Sequence, residues 1–302
     1  MSQGVPAGTL PGVRSTFARG SAAAAVIAAA AVISGCGATR TVSQTLDPVA
    51  RAADVTSRVQ GYRMQATTSV NTSGGSVQVE MSGVMNRADR TGQMTAHENI
   101  AGHALTLNER FSGLTFYMDA AGLPGVSQVT HGKRWLKMDM SRTLGSLGLG
   151  SLSTTNSDPG QFVDYLRAVS ASTKRIGTET VRGAATTHYH AVVDLSRYAG
   201  LVAPSARAAA RRGISTLETV LGSHTLAMDV WIGSDKLVHR LRLGYPECVN
   251  SQKLSFNMTM DLFDYGPQPK TQVPADSQAY DLTPMVSSAM KSIKFGCSSS
   301  SA

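Results

Sequence analysis

The sequence predicts an α+β protein, in which a long antiparallel β-sheet is apolar on one face and two or three helices cover that face. After Gly61, apolar and polar residues alternate over most of the chain, which is the period of a half-buried strand. Turn sequences separate these stretches, and only a few segments have the spacing of an amphipathic helix. A sheet of this length is expected to curl.

The first 35 residues have the pattern of a secretory leader. Arg14 and Arg19 precede an uncharged stretch, Ser21–Ile33, and no acidic residue is present. Spanning a bilayer takes about 20 apolar residues, and this stretch is shorter and mostly alanine. Basic, apolar and small residues in this order predict a signal peptide. The sequence Ile33-Ser34-Gly35-Cys36 resembles the lipobox of bacterial lipoproteins.

The lipobox resemblance implies that Cys36 carries a diacylglyceryl group and that cleavage occurs just before it. We therefore predict a signal peptide at 1–35, a lipidated tether at 36–48 and a single domain at 49–302. Two or more acyl chains give stable anchoring, so the expected location is the extracytoplasmic face of the cell membrane. An uncleaved anchor with an incidental cysteine is the alternative.

The first half of the domain is predicted to contain one helix followed by strands. Apolar residues near helical spacing predict the helix at 49–59. The period then changes to two, and the sequence NTSGGS at 71–76 predicts a turn. Alternation predicts strands at 62–70, 76–85, 114–118 and 135–140.

The second half is predicted to return to strands after a loop and two helices. Residues 144–153 are rich in glycine and leucine without a period, and we expect a mobile loop that serves as a lid. The predicted elements are a helix at 158–170, a hairpin at 174–195, a helix at 204–222 interrupted by Gly213, and strands at 224–233, 237–245 and 253–266, with a turn at 233–237.

Cys248 and Cys297 remain as a pair once Cys36 is assigned to the lipid. Disulfides persist in exported proteins, and one closing this loop would contribute about 4 kcal/mol on a chain-entropy estimate. Two free or metal-binding thiols are the alternative, although no further His or Cys lies at zinc-ligand spacing. We predict the disulfide.

Several motifs together resemble one protein family. In order they are the lipobox, GYRMQ, RWLKMDMS, YLRAVS with IGTETVRGAATTHYHAVVDL, VWIGSDKLVHRLRLGY and MDLFDYG. This series resembles the actinobacterial lipoproteins related to LppX and LprG, which have a LolA/LolB-like fold. The resemblance implies a strongly curved antiparallel sheet that helices close into an open half-barrel. It also implies an apolar cavity that accepts the acyl chains of lipids or lipoglycans.

The candidate cavity residues are the inward positions of the predicted strands. They are Met64, Met81, Phe116, Met118, Leu136, Met138, Met140, Met228, Val230, Ile232, Phe256, Met258 and Met260. Ten of the thirteen methionines lie between Met64 and Met260, and methionine suits adaptable apolar surfaces. An ordinary core with methionine as a gap-filler fits the same pattern.

No motif for catalysis, metal binding or nucleic-acid binding is present in the sequence. His188 and His190 share a strand face, and we expect them to face solvent without a metal. The net charge of +8 contains no basic block, and nucleic-acid binding is not expected.

We expect no enzyme activity, no metal and no cofactor. The predicted function is to bind lipid acyl chains in an apolar cavity and to carry or transfer lipids within the cell envelope, as a membrane-anchored monomer. The alternative is a non-catalytic sensor or protein-interaction module of the envelope on the same half-barrel.

Overall fold

The computed structural model describes residues 47–100, 103–121, 123, 126–146, 161–169, 173–249 and 252–290. Twelve strands within these ranges form one sheet. They are β1 (Gly61–Thr72), β2 (Gly75–Asn86), β3 (Thr91–Ile100), β4 (His103–Ser112), β5 (Thr115–Asp119), β6 (Trp135–Asp139), β7 (Lys174–Val181), β8 (Ala184–Asp194), β9 (Thr225–Gly233), β10 (Val238–Val249), β11 (Gln252–Phe263) and β12 (Ala279–Asp281).

The strand order places the first strand, β1, beside β11 in the middle of the sheet. The order is β12-β6-β5-β4-β3-β2-β1-β11-β10-β9-β8-β7. Every neighbouring pair is antiparallel except β12 and β6, which are parallel. β1 pairs with β11 from Arg63↔Phe263 to Thr72↔Leu254. The two strand-rich halves therefore belong to one curved, unclosed sheet, and the predicted α+β fold with an antiparallel half-barrel sheet is confirmed.

Helices are more numerous than the two or three predicted. They are α1 (Pro48–Ser57), α2 (Val126–Val129), α3 (Met140–Ser146), α4 (Gln161–Tyr165), α5 (Leu195–Leu201), α6 (Arg207–Leu221) and α7 (Thr283–Met290), with short 3₁₀ helices at Leu166–Ala168, Pro204–Ala206 and Asp276–Gln278. α1, α4, α5 and α6 contribute buried residues to the same core as the central strands. We call the sheet face that they cover the apolar face and the opposite one the polar face.

Helix α1 begins one residue earlier than predicted, and its first turn explains why. The Asp47 carboxylate accepts hydrogen bonds from the amides of Val49 and Ala50 at 2.8 and 3.4 Å. Pro48 occupies the first turn, where its missing N–H leaves no hydrogen bond unmade. The helix then buries Val49, Ala52 and Ala53. This packing places α1 on the apolar face, directly before β1.

Helix α6 runs through Gly213, so the predicted interruption there is wrong. The helix is continuous from Arg207 to Leu221, and Gly213 is buried beside Ile214. An interior glycine costs about 1 kcal/mol relative to alanine. Packing of the buried stripe against the core outweighs that cost, because tertiary contacts supply most of a helix's stability in proteins.

The predicted turns are found where the sequence placed them. Arg182 and Gly183 connect β7 and β8 with φ of 48° and 84°, and positive φ at both positions is typical of a tight hairpin turn. Between β9 and β10, Lys236 also has a positive φ of 65°. The β1–β2 turn is narrower than predicted, because β1 extends to Thr72 and β2 begins at Gly75.

Truncation of Met260, which lies near the centre of the sheet, tests the packing of this core. Its side chain has no solvent exposure and lies across from Ala66 on β1 and Leu241 on β10. Met260→Ala should lower the free energy of unfolding by about 2–5 kcal/mol, because a truncated core residue leaves a cavity. Urea denaturation measures this change. Thr259→Ala, on the polar face, should stay within about 0.5 kcal/mol of the parent.

Candidate functional site: the apolar face of the sheet

Strand register arranges the apolar face in rows that cross the strands. The central row is Val230, Leu241, Met260, Ala66, Met81, Ala96 and Leu107. The next row toward the β1–β2 turn is Met228, Leu243, Met258, Thr68, Val79, Glu98 and Leu105. The outermost row is Tyr245, Phe256, Val70 and Val77.

Burial decreases from the central row toward the turn. Val230, Leu241 and Met260 have no exposure, since the helices cover this part of the face. Val77 in the outermost row is 46% exposed, and the other members of that row are partly exposed. The helical cover therefore ends before the sheet does.

Five residues form what we call the apolar margin. They are Val70, Val77, Val79, Tyr245 and Phe256, each partly or largely exposed. The rings of Tyr245 and Phe256 stack with centroids 5.0 Å apart, and both rings also pack against the buried core. The margin is thus an outward continuation of the core. Apolar surface of this kind is a usual place for a ligand to bind.

The structure places most of the predicted cavity residues on the apolar face. Seven are at most 9% exposed: Met64, Leu136, Met228, Val230, Ile232, Met258 and Met260. Five further ones are partly exposed on the same face: Met81, Phe116, Met118, Met138 and Phe256. Of the thirteen predicted cavity residues, only Phe256 belongs to the apolar margin. Met81 lies next to the margin residue Val79 on the same face of β2.

Met140 is the exception, because it is not a strand residue. β6 ends at Asp139, and Met140 begins α3. The Asp139 carboxylate accepts hydrogen bonds from the amides of Ser141 and Arg142 at 2.9 and 3.3 Å, and such capping favours the start of a helix. The predicted alternation of Leu136, Met138 and Met140 on one strand is therefore wrong at its last position.

A carboxyl group that the sequence analysis did not single out lies within the apolar face. Glu109 on β4 lies across from Met94 on β3 and Met118 on β5. Its neighbours along the same face of β4 are the buried Leu107 and Phe111. The pKa of Glu109 is raised, first by desolvation and then by the charge of Glu98. Within the described ranges its carboxyl has no hydrogen bond or ion pair.

Glu109 should make stability depend on pH in a defined direction. Because burial raises its pKa above the ordinary 4.5, the folded state holds this proton more tightly than the unfolded chain does. Stability from this group is fully present below the unfolded pKa and is lost as pH rises through the folded pKa. Glu109→Gln should therefore raise the melting temperature at pH 7 and leave it unchanged near pH 3. Calorimetry at both pH values measures this, and an equal shift at both would contradict it.

Two grooves lie on the polar face, with volumes of about 430 and 310 Å³. Their linings are rich in hydroxyl, amide and charged side chains, such as Gln65, Asn108 and Arg110 in the first. Of the predicted cavity residues, the first groove includes Met64 and the second Met228 and Met258. Glu109 is also among the residues that line the first groove. Linings of this polarity do not suit a hydrocarbon chain.

The predicted solvent-facing histidine pair is wrong for His188. It is 7% exposed, and its ring stacks on Trp231 with centroids 4.1 Å apart. Nδ1 lies 3.0 Å from a Glu179 oxygen and Nε2 lies 3.3 Å from Asp229 Oδ1. These partners lie on the neighbouring strands β7 and β9. The alternation of residues along β8 therefore could not indicate that His188 is buried. The hydrogen bonds from Trp231 and His188 lower the pKa of Glu179. The Nδ1 atom of His190 lies 3.0 Å from Asp229 Oδ1.

Neither a metal-ligand group nor a membrane-spanning helix is found in the described part of the chain. Among the described residues, no three His, Cys, Asp or Glu side chains are grouped as a metal site would require. No helix in the described part of the chain is long and apolar enough to cross a membrane.

Some predicted features lie outside the described residues. Cys36, Cys297 and most of the predicted lid at 144–153 are among them, although residues 144–146 form the end of α3. The backbone of Cys248 belongs to β10, but its side chain is outside the description. The lipidation of Cys36 and the Cys248–Cys297 disulfide therefore stay predictions.

Sequence comparison finds one curated relative and no matching family model. The relative is an uncharacterized 31.2 kDa protein of Streptomyces griseus from the rplA-rplJ intergenic region, 33% identical over 165 residues. The match covers 52% of this chain and 51% of the relative. The chain thus spans about half the length of the curated relative that it matches.

Comparison with solved structures finds several matches, each at low sequence identity. Lipoprotein LppX of Mycobacterium tuberculosis is 12% identical, with a TM-score of 0.42 over 74% of this chain and 96% of LppX. LprF of Mycobacterium bovis is 13% identical, with a TM-score of 0.40 over 76% and 95%. A putative outer-membrane lipoprotein-sorting domain of Vibrio parahaemolyticus is 6% identical, with a TM-score of 0.26 over 76% and 94%.

Proposed function

We propose that this protein is a membrane-anchored, extracytoplasmic lipoprotein that binds lipid acyl chains on its apolar face and carries or transfers them within the cell envelope. In this proposal residues 1–35 are a signal peptide, Cys36 carries the lipid anchor and residues 36–48 are the tether. The domain at 49–302 holds the ligand by burial of hydrocarbon, without catalysis.

The apolar margin is the observation that carries the proposal. Val77 remains 46% exposed on a sheet face whose other end is sealed by helices. The aromatic pair of Tyr245 and Phe256 lies in the same row. An acyl chain lying on the apolar margin would cover exposed apolar surface and extend the core, which the hydrophobic effect favours.

The energetics favour exchange of lipid between apolar environments over its extraction into water. Burying a sixteen-carbon chain from water is worth about 13 kcal/mol at ~0.8 kcal/mol per CH₂. A lipid in a membrane already has that burial, so moving its chain to the protein is nearly balanced. A carrier needs this balance, because it must release its ligand as well as bind it.

Native mass spectrometry of the chain starting at Gly37 tests the proposal. This form contains the whole compact unit Thr45–Ala302 and lacks its own anchor. Purified from its native envelope without detergent, it should carry additional mass that tandem dissociation identifies as lipid. A bare mass that persists after incubation with envelope lipid extract would contradict lipid binding. Capture of one defined envelope protein by that bare chain would favour the interaction-module alternative instead.

A further inference from the structure

One half of the apolar face carries negative charge and no positive charge. The described positions of β2–β6 on this face are Val77, Val79, Met81, Gly83 and Met85; Gly92, Met94, Ala96 and Glu98; Leu105, Leu107, Glu109 and Phe111; Phe116 and Met118; and Leu136 and Met138. Glu98 and Glu109 are the charged residues in this set, and neither lysine nor arginine occurs in it.

Glu109 is the carboxyl whose register neighbours are all apolar. Apolar side chains adjoin it on all four sides: Met94 and Met118 across the strands, and Leu107 and Phe111 along β4. The described part of the chain offers its carboxyl no hydrogen-bond donor and no cation. A carboxylate placed among apolar groups is unfavourable unless it is paired, so a partner from outside the chain would relieve that cost.

We propose that Glu109 binds the ammonium head group of an amphiphilic ligand whose hydrocarbon chain lies along the apolar face. This inference rests on the proposed function and names the class of lipid that the site prefers. An ammonium supplies both the positive charge and the hydrogen-bond donors that the carboxyl lacks. Glu98 adds to the negative potential, so an anionic head group would be repelled.

The geometry links this head-group site to the apolar margin. On β2, Gly83 lies in the same row as Glu109, and Val77 lies in the outermost row. These six residues of strand correspond to about 20 Å, which a long acyl chain spans. Met81 and Val79 lie between the two positions on the same face. A ligand with its ammonium at Glu109 would therefore place its chain across Met81 and Val79 toward Val77.

Three probes with equal chain lengths test the preference. Isothermal titration calorimetry of the chain from Gly37 at pH 7 would use dodecylammonium, laurate and dodecyl maltoside, each below its micellar concentration. We expect dodecylammonium to bind at least about tenfold more tightly than laurate, the size expected for one charge-assisted contact. Glu109→Gln should remove that preference and leave the affinity for dodecyl maltoside unchanged.

Glu80→Gln is the matched control. Glu80 is an exposed glutamate of β2 that faces the polar side, where it accepts a hydrogen bond from Gln78 at 3.3 Å. Its replacement removes the same charge and should leave all three affinities unchanged. Tighter binding of laurate or maltoside than of dodecylammonium would overturn the inference, as would an unchanged preference in Glu109→Gln. Failure of all three probes to bind the parent chain would overturn the proposed function itself.

Discussion

Aspartate at both Val79 and Phe256 should weaken the binding of a fluorescent fatty acid by about a hundredfold or more. Both side chains lie on the apolar face, and both are only partly buried. Each charge must lose water if hydrocarbon covers it, and every 1.4 kcal/mol of lost affinity is tenfold in Kd. Titration with dansyl-undecanoic acid measures the change, and far-UV circular dichroism checks the fold.

The control for this double variant places the same charges on the same strands, facing the other way. Gln78 and Asn257 are exposed residues of β2 and β11 on the polar face, adjacent in sequence to Val79 and Phe256. Gln78→Asp with Asn257→Asp should bind the probe as the parent does. If the two double variants bind alike, the acyl chain does not lie on the apolar margin.

Alternation in the sequence was sufficient to predict most of the strands, but not β3, β4 and β12. β1, β2 and β8–β11 have an apolar residue at most of their alternate positions, and the sheet forms there as expected. In β3 and β4, Glu98 and Glu109 take positions on the apolar face, which interrupts the pattern. The series Leu105, Leu107, Glu109, Phe111 contains the signal that would have found both the strand and its carboxyl group.

The division of the apolar face into a covered and an open part could not be predicted from the sequence. Alternation places Met260 and Phe256 on one face and says nothing of the helices above them. Met260 is completely buried and Phe256 is partly exposed, because the helical cover extends over one row and not the other. That boundary depends on how α1, α4, α5 and α6 pack, and packing between distant segments has no local pattern.

Replacing Cys36 with serine should abolish lipidation of the chain completely. The diacylglyceryl group of a lipoprotein is joined to the cysteine sulfur, and a serine hydroxyl is not an equivalent nucleophile because it is almost never ionised at neutral pH, unlike a thiol. Stable anchoring by acyl chains takes at least two of them, and the variant should carry none.

Metabolic labelling with an alkyne analogue of palmitate measures this outcome directly, as an all-or-none signal on the purified chain. The parent should carry the label and begin at Cys36, since cleavage removes the 35 residues before it, whereas Cys36→Ser should carry none. Cys248→Ser is the matched control, because it removes a different thiol from the same chain and should leave the label in place. A new N-terminus at Cys36 together with a bound fatty acid requires a processed and acylated cysteine. A parent chain that retains its leader and carries no label would establish the uncleaved anchor instead.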